Sequence, residues 1–161
     1  MFGAGLGRGA IALTIAVVGC AANTTIVPGR SVVLSGDHAH ALQELCSRPG
    51  VPAIDGTWVP SAEDVRAMEQ RFGSLKRQRA KGCCMEGLRV RGDINEYRRQ
   101  YVGIVVGGRR LIYINADAWI DEGPPPADAI LEACDGGGSS WGVLYDPATG
   151  EFSDLAFNGV A

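Results

Sequence analysis

Few residues in this chain are suited to chemistry. His38 and His40 are the only histidines, and Asp37 precedes them. On a strand the two imidazoles share a face and, with Asp37 beside them, begin a metal site; on a helix they diverge. No third ligand follows at a readable spacing, so the stretch reads as a solvated helix entry and no metal is assigned. Asp135-Gly136-Gly137-Gly138-Ser139-Ser140 has the composition of a phosphate-cradling turn. A strand-like Trp141-Gly142-Val143 follows it, where a helix N-terminus and a P-loop lysine are needed. Ser139 and Ser140 lack a GxSxG setting. A Cys84 or Cys134 nucleophile needs a free thiol, and Asp121-Glu122 sits in a proline-rich loop with no readable glycosidase geometry. Arg91-Gly92-Asp93 matches a cell-adhesion tripeptide by chance. No catalytic residue and no cofactor is assigned, and the expectation is a binding protein.

Those residues belong to a chain of 161, 46% hydrophobic and 20% charged, which suits one packed domain. The net charge of −3 argues against a general nucleic-acid binder. Residues 1–19 carry one charge, Arg8, then an apolar run from Ala10 to Val18, then a small residue, the order of a secretory signal peptide. The run is too short to cross a bilayer. Val17-Val18-Gly19-Cys20 resembles the lipobox of bacterial lipoproteins. That resemblance implies cleavage before Cys20, lipid on its thiol, and a protein held at the cell envelope facing the periplasm or the exterior. Residues 20–30 read as a tether and 31–161 as the folded domain.

Export implies an oxidising compartment, where disulfides persist. With Cys20 lipidated, Cys46, Cys83, Cys84 and Cys134 allow three pairings. Adjacent residues of an extended segment point opposite ways. Cys83 and Cys84 are therefore expected to bond separately to Cys46 and Cys134.

The elements that must position these groups are legible in part. Ser31 to Ser35 is a short β-prone run, and Asp37 can cap a helix to about Arg48 with Leu42, Leu45 and Cys46 inward. Ser61 and Asp64 form a capping-box pattern. Val65, Met68, Phe72 and Leu75 share a helical face, predicting a helix that Gly82 ends. Tyr97 to Val106, Gly107-Gly108 and Arg109 to Asn115 predict a tight hairpin pairing Val106 with Arg109, Ile104 with Leu111, Val102 with Tyr113 and Gln100 with Asn115. This face is expected to meet the helix, and part of the opposite face, which carries Tyr101, Gly103, Val105, Ile112 and Ile114, is expected to be covered as well. Residues 130–134 read as a further strand, and 141–145 and 151–157 as a pair joined by an Asp146–Gly150 turn. The expected fold is α+β, with N-terminal helices packed on an antiparallel sheet of about four strands in two layers.

Charge is segregated. Residues 66–110 hold twelve Lys/Arg and four Asp/Glu, whereas residues 111–161 hold nine Asp/Glu and no Lys or Arg. Pairing of the two halves and a basic surface for an acidic partner or anionic lipid are both compatible with that pattern. The partner contacts expected are Arg98, Arg99, Arg109 and Arg110, with Trp119 and Trp141 in loops 117–126 and 135–141.

Further stretches carry a second likeness: Leu45-Cys46-Ser47-Arg48, Trp58-Val59-Pro60, residues 97–103 and 110–115, Cys134-Asp135-Gly136-Gly137, Trp141 to Asp146, and Phe157-Asn158-Gly159. Together they resemble a group of uncharacterised exported bacterial proteins with a CDGG…WGV-YD…FNG signature. The resemblance implies one exported domain and no known activity. The expected role is an envelope lipoprotein that binds a cell-envelope protein, as inhibitor and immunity proteins do. A structural or assembly accessory is the alternative, and a hydrolase the next.

Overall fold

A computed structural model describes residues 28–82, 84–118 and 123–160. The chain forms an α+β domain on a mixed six-stranded sheet. Its strands are β1 (Ser31–Val33), β2 (Gly56–Trp58), β3 (Arg98–Val106), β4 (Arg109–Asp117), β5 (Ser140–Asp146) and β6 (Glu151–Phe157). The order is β1-β3-β4-β5-β6. β1 runs parallel to β3 along Arg99 to Tyr101, and β2 runs antiparallel to the same strand along Gly103 to Val105. Two short strands thus divide one edge of β3, which raises the count from the four expected to six.

The β3–β4 hairpin has the predicted register, with Gln100 opposite Asn115 and Val106 opposite Arg109. Gly107 and Gly108 both adopt positive φ, as a two-residue turn matched to the strand twist requires. β5 and β6 also pair antiparallel, as their alternation indicates.

Helix α1 (Ala62–Glu69) starts at Ser61. The Ser61 hydroxyl accepts from the Asp64 backbone, and the Asp64 carboxylate accepts from the Ser61 backbone. Bonds from the Ser61 side chain and backbone, then the Arg110 charge, hold the Asp64 carboxyl below its ordinary range. The predicted helix runs to the residue before Gly82; the structure breaks it after Glu69, resumes it as α2 (Phe72–Leu75), and ends it there. Downstream, Ala80 N–H bonds to Leu88 O and Lys81 N–H to Leu155 O, so the backbone leaves the helical ladder to join neighbouring segments. Helical periodicity survives the break: Met68, Phe72 and Leu75 are all buried.

The sheet is covered on both faces, so the two-layer expectation is corrected. Met68, Phe72 and Leu75 pack with Tyr101, Ile112, Ile114, Trp141, Val143 and Tyr145. The other face carries Val102, Ile104, Leu111, Tyr113 and Leu144. It meets Leu34, Ala39 and Leu42 from a 3-10 helix and its approach (Gly36–Gln43). The face expected to meet the long helix therefore meets this short one and the loops after it. Sheet alternation identifies two apolar faces but not which helix covers which. Ser35, not Asp37, caps the short helix, which stops at Gln43 rather than near Arg48.

Residues 130–134 form no strand. Cys46 bonds to Cys134 directly, across a sequence separation of 88. This overturns the expectation that each joins one member of the Cys83-Cys84 pair. Cys84 is disulfide-bonded as well. Pairing depends on which loops the fold brings together, and local side-chain direction does not report that.

Gly103 is where β2 closes on β3. A Cβ there would lie 2.2 Å from the Trp58 carbonyl oxygen and 2.8 Å from Pro60 Cδ. Both neighbours are backbone or ring atoms in a paired strand, so relief requires β2 to move. A Gly103→Ala substitution is expected to lower stability by about 1–3 kcal/mol, read from chemical denaturation.

Candidate functional site

Two buried polar clusters build the frame. In the first, Gln100 and Asn115 stand opposite each other on an otherwise apolar face. Asn115 Nδ2 donates to Gln100 Oε1 (3.2 Å) and to Leu131 O (2.7 Å). Gln100 Nε2 donates to Pro126 O (2.8 Å) and Ala129 O (2.6 Å), and its Oε1 accepts from Leu131 N–H (2.7 Å). These side chains take the place of a strand partner for residues 126–131. Arg48 enters from the opposite side and donates to Asn158 Oδ1 (2.9 Å) and to Asn115 Oδ1. Asn158 Nδ2 in turn donates to Ala133 O.

In the second cluster the fully buried Arg99 donates to Tyr101 Oη (3.0 Å) and to the Ile94 and Tyr97 carbonyls. Its guanidinium lies 5.8 Å from the Phe72 ring centroid. The Tyr101 hydroxyl donates to Glu69 Oε1 (2.7 Å), linking the arginine to a carboxylate. Burial, above all other causes, pushes that hydroxyl far above the ordinary tyrosine range, so it stays a proton donor.

An open groove of the surface lies at the hairpin ends. It has a volume of about 670 Å³ and is lined by Trp58, Asp64, Arg109, Arg110, Asp146 and the Pro147–Thr149 turn. Trp58 is fixed because its indole N–H is shared between Ile104 O (3.2 Å) and Leu111 O (3.1 Å). The Arg110 guanidinium stacks 5.5 Å from the Trp58 ring centroid. Arg109 reaches Asp146 at 3.5 Å with 69% of its side chain exposed, a contact of little strength. Asp146 also holds its own turn, accepting from Ala148 N–H (2.8 Å). The lining thus offers a fixed aromatic ring, two cations and two carboxylates. Such a mixture suits a protein surface of mixed charge better than a polyanion.

The expected contacts divide sharply. Arg109 and Arg110 are exposed and meet in the groove. Arg99 and Trp141 are fully buried and Arg98 is 8% exposed, so these three present no side chain to a partner. β3 is a central strand covered on both faces, so Arg99 is engaged in the frame and Arg98 is buried with its Nε unpaired. Trp119, Asp121 and Glu122 lie outside the described residues. Ser140 is buried and donates to Asp117 Oδ1 (3.2 Å). His38 is half-buried and His40 exposed on the short helix. Among the described residues, ligand atoms fit for a metal cluster only at Cys46, Glu132 and Cys134, where both sulfurs are engaged in the disulfide. Sequence reasoning missed Trp58 as a contact; its signal was a tryptophan two residues before Pro60 and three before the Ser61 cap, and its closeness to Arg110 emerges only in the fold. Comparison with known protein families, curated proteins and solved structures finds no match to the chain.

The two arginine settings are separable by stability. Arg48→Ala is expected to cost about 1–3 kcal/mol for each buried amide oxygen it leaves unpaired. Arg110→Ala, on the exposed groove wall, is expected to stay within about 0.5 kcal/mol of wild type. Urea denaturation of both variants checks the contrast.

Proposed function

We propose that the chain is an exported bacterial lipoprotein, anchored to the envelope through Cys20, whose folded domain binds a cell-envelope protein without catalysing a reaction. The observation that carries the binding reading is the groove in which Arg110 stacks on a pinned Trp58 beside the exposed Arg109. A rigid aromatic with flanking arginines is the kind of centre on which interface energy concentrates. Its position at the tips of two hairpins leaves it open to a partner on a rigid sheet. An inhibitor or immunity role fits that arrangement. The disulfide between Cys46 and Cys134 supports an oxidising compartment. Among the described residues no helix is long and apolar enough to cross a membrane; the lipid anchor rests on the likeness of Val17-Val18-Gly19-Cys20 to a lipobox.

Two measurements test the reading. Cys20→Ala is expected to abolish incorporation of labelled palmitate and to move the protein from the membrane pellet to the soluble fraction; unchanged labelling overturns the anchor. Wild type immobilised in its oxidised form is expected to retain a discrete envelope protein that the folded Arg109→Glu/Arg110→Glu variant loses. Equal retention by both moves the role to a structural or assembly accessory.

A further inference from the structure

The excursion between α2 and β3 carries a charge pattern that the groove does not use. Lys76, Arg77, Arg79, Lys81, Arg89 and Arg91 are all exposed, and Glu86 is the only acid between the first and the last of them. Hydrogen bonds tie the described residues of the excursion, 76–82 and 84–91, to one another. Lys76 Nζ donates to Gly92 O (2.7 Å), Arg79 to Gly87 O (3.3 Å), and Ala80 N–H to Leu88 O (2.8 Å). These bonds hold the two limbs of the excursion together and so concentrate its cations. Among the described residues the one ion pair is Arg109–Asp146, and none of these six cations takes part in it. Asp93, just after the patch, is occupied as a cap, accepting from Asn95 N–H (3.0 Å), and Glu96 lines a groove with Arg89 and Arg91. Half-buried Met85 and Leu88 lie between the cations and, with Arg89 and Arg91, line a shallow groove of about 490 Å³.

The patch lies at the end of the molecule where the chain enters the fold. Arg30 O accepts from Arg99 N–H (2.8 Å), and Ser31 Oγ donates to Glu69 at the end of α1 (3.4 Å). Arg99 also bonds Ile94 O, two residues from the Gly92 that Lys76 reaches. The ten steps from Cys20 to Arg30 span at most about 36 Å. The Trp58 groove lies toward the other end of β3, with Trp58 opposite Gly103 and Arg109 opposite Val106, the last residue of the strand.

We infer that the basic excursion 76–91 is a membrane-apposition surface, whose six cations lie against the anionic phospholipid headgroups of the bilayer that carries the anchor. The inference rests on the lipid-anchor reading for its geometry. A short tether holds this end near the bilayer, and the opposite end carries the groove outward. Cations near an anionic surface add to binding one by one, and salt screens them. Arginine and lysine serve equally here, because a headgroup layer presents a field rather than a single bidentate partner. Met85 and Leu88 then meet the headgroup boundary.

The test uses the mature chain from residue 20 with Cys20→Ser, so that no lipid contributes, and co-sedimentation with vesicles. Neutral phosphatidylcholine vesicles are compared with vesicles holding about 30 mol% phosphatidylglycerol. Binding is expected only to the anionic vesicles, and it is expected to fall at least tenfold as salt rises from about 50 to about 500 mM. The Lys76→Gln/Arg79→Gln/Arg89→Gln/Arg91→Gln variant is expected to lose more than tenfold in partitioning, at roughly fivefold per cation. The Arg79→Lys/Arg89→Lys/Arg91→Lys variant keeps the charge and is expected to bind as wild type. Circular dichroism and the melting transition confirm that each is folded. Absence of wild-type binding, equal binding to neutral vesicles, or undiminished binding of the folded glutamine variant overturns the inference. Failure of the anchor reading shows separately, as unlabelled Cys20 in the palmitate experiment.

Discussion

The fold depends on one buried polar cluster. Gln100 and Asn115 stand opposite each other where an apolar pair would be the simpler choice, and each turns its amide to backbone rather than to water. Buried amides are costly unless every bond is made. Here the bonds are made to residues 126–131, a stretch that belongs to no strand. Arg48 closes the cluster from the other side and brings Asn158 with it. Two long irregular segments and the C-terminal end of the chain are thereby fixed to the sheet without any further secondary structure.

The Cys46–Cys134 bridge belongs to the same arrangement. It lies two residues from Arg48 on one side and three from Leu131 on the other, joining the loops that the polar cluster positions. In the chain-entropy picture a bridge over so long a loop removes much freedom from the unfolded chain. The amides set where the loops lie, and the covalent link keeps them there. On the opposite face, Arg99, Tyr101 and Glu69 do comparable work between sheet and helix.

Charge follows this architecture rather than the linear sequence. The arginines of β3 lie inside, Arg99 wholly buried and Arg98 nearly so. The arginines after the Gly107-Gly108 turn reach solvent because a hairpin tip extends past the covering layers. The cations of residues 76–91 reach solvent because their excursion lies outside the sheet. One molecule therefore presents two distinct surfaces: a mixed-charge groove around Trp58 toward one end, and a basic surface toward the end where Arg30 and Ser31 join the sheet.

Local patterns were legible in the residues themselves. The Gly-Gly hairpin and its register, the Ser61–Asp64 cap, the β5 and β6 runs and the buried stripe of Met68, Phe72 and Leu75 each follow from neighbours within a few positions. A strand period, a turn that needs positive φ and an orphaned helix N–H are short-range requirements, so sequence alone determines them. Other features were decided only in three dimensions. These include the parallel pairing of β1, the layer covering each face, the partner of Cys46, and the burial of Arg98, Arg99 and Trp141 beside the exposure of Arg109 and Arg110. The physical reason is the same for all of them. Each depends on which distant segments compete for one surface, and that competition is settled by packing and by the satisfaction of buried polar groups across the whole chain, which no local pattern records.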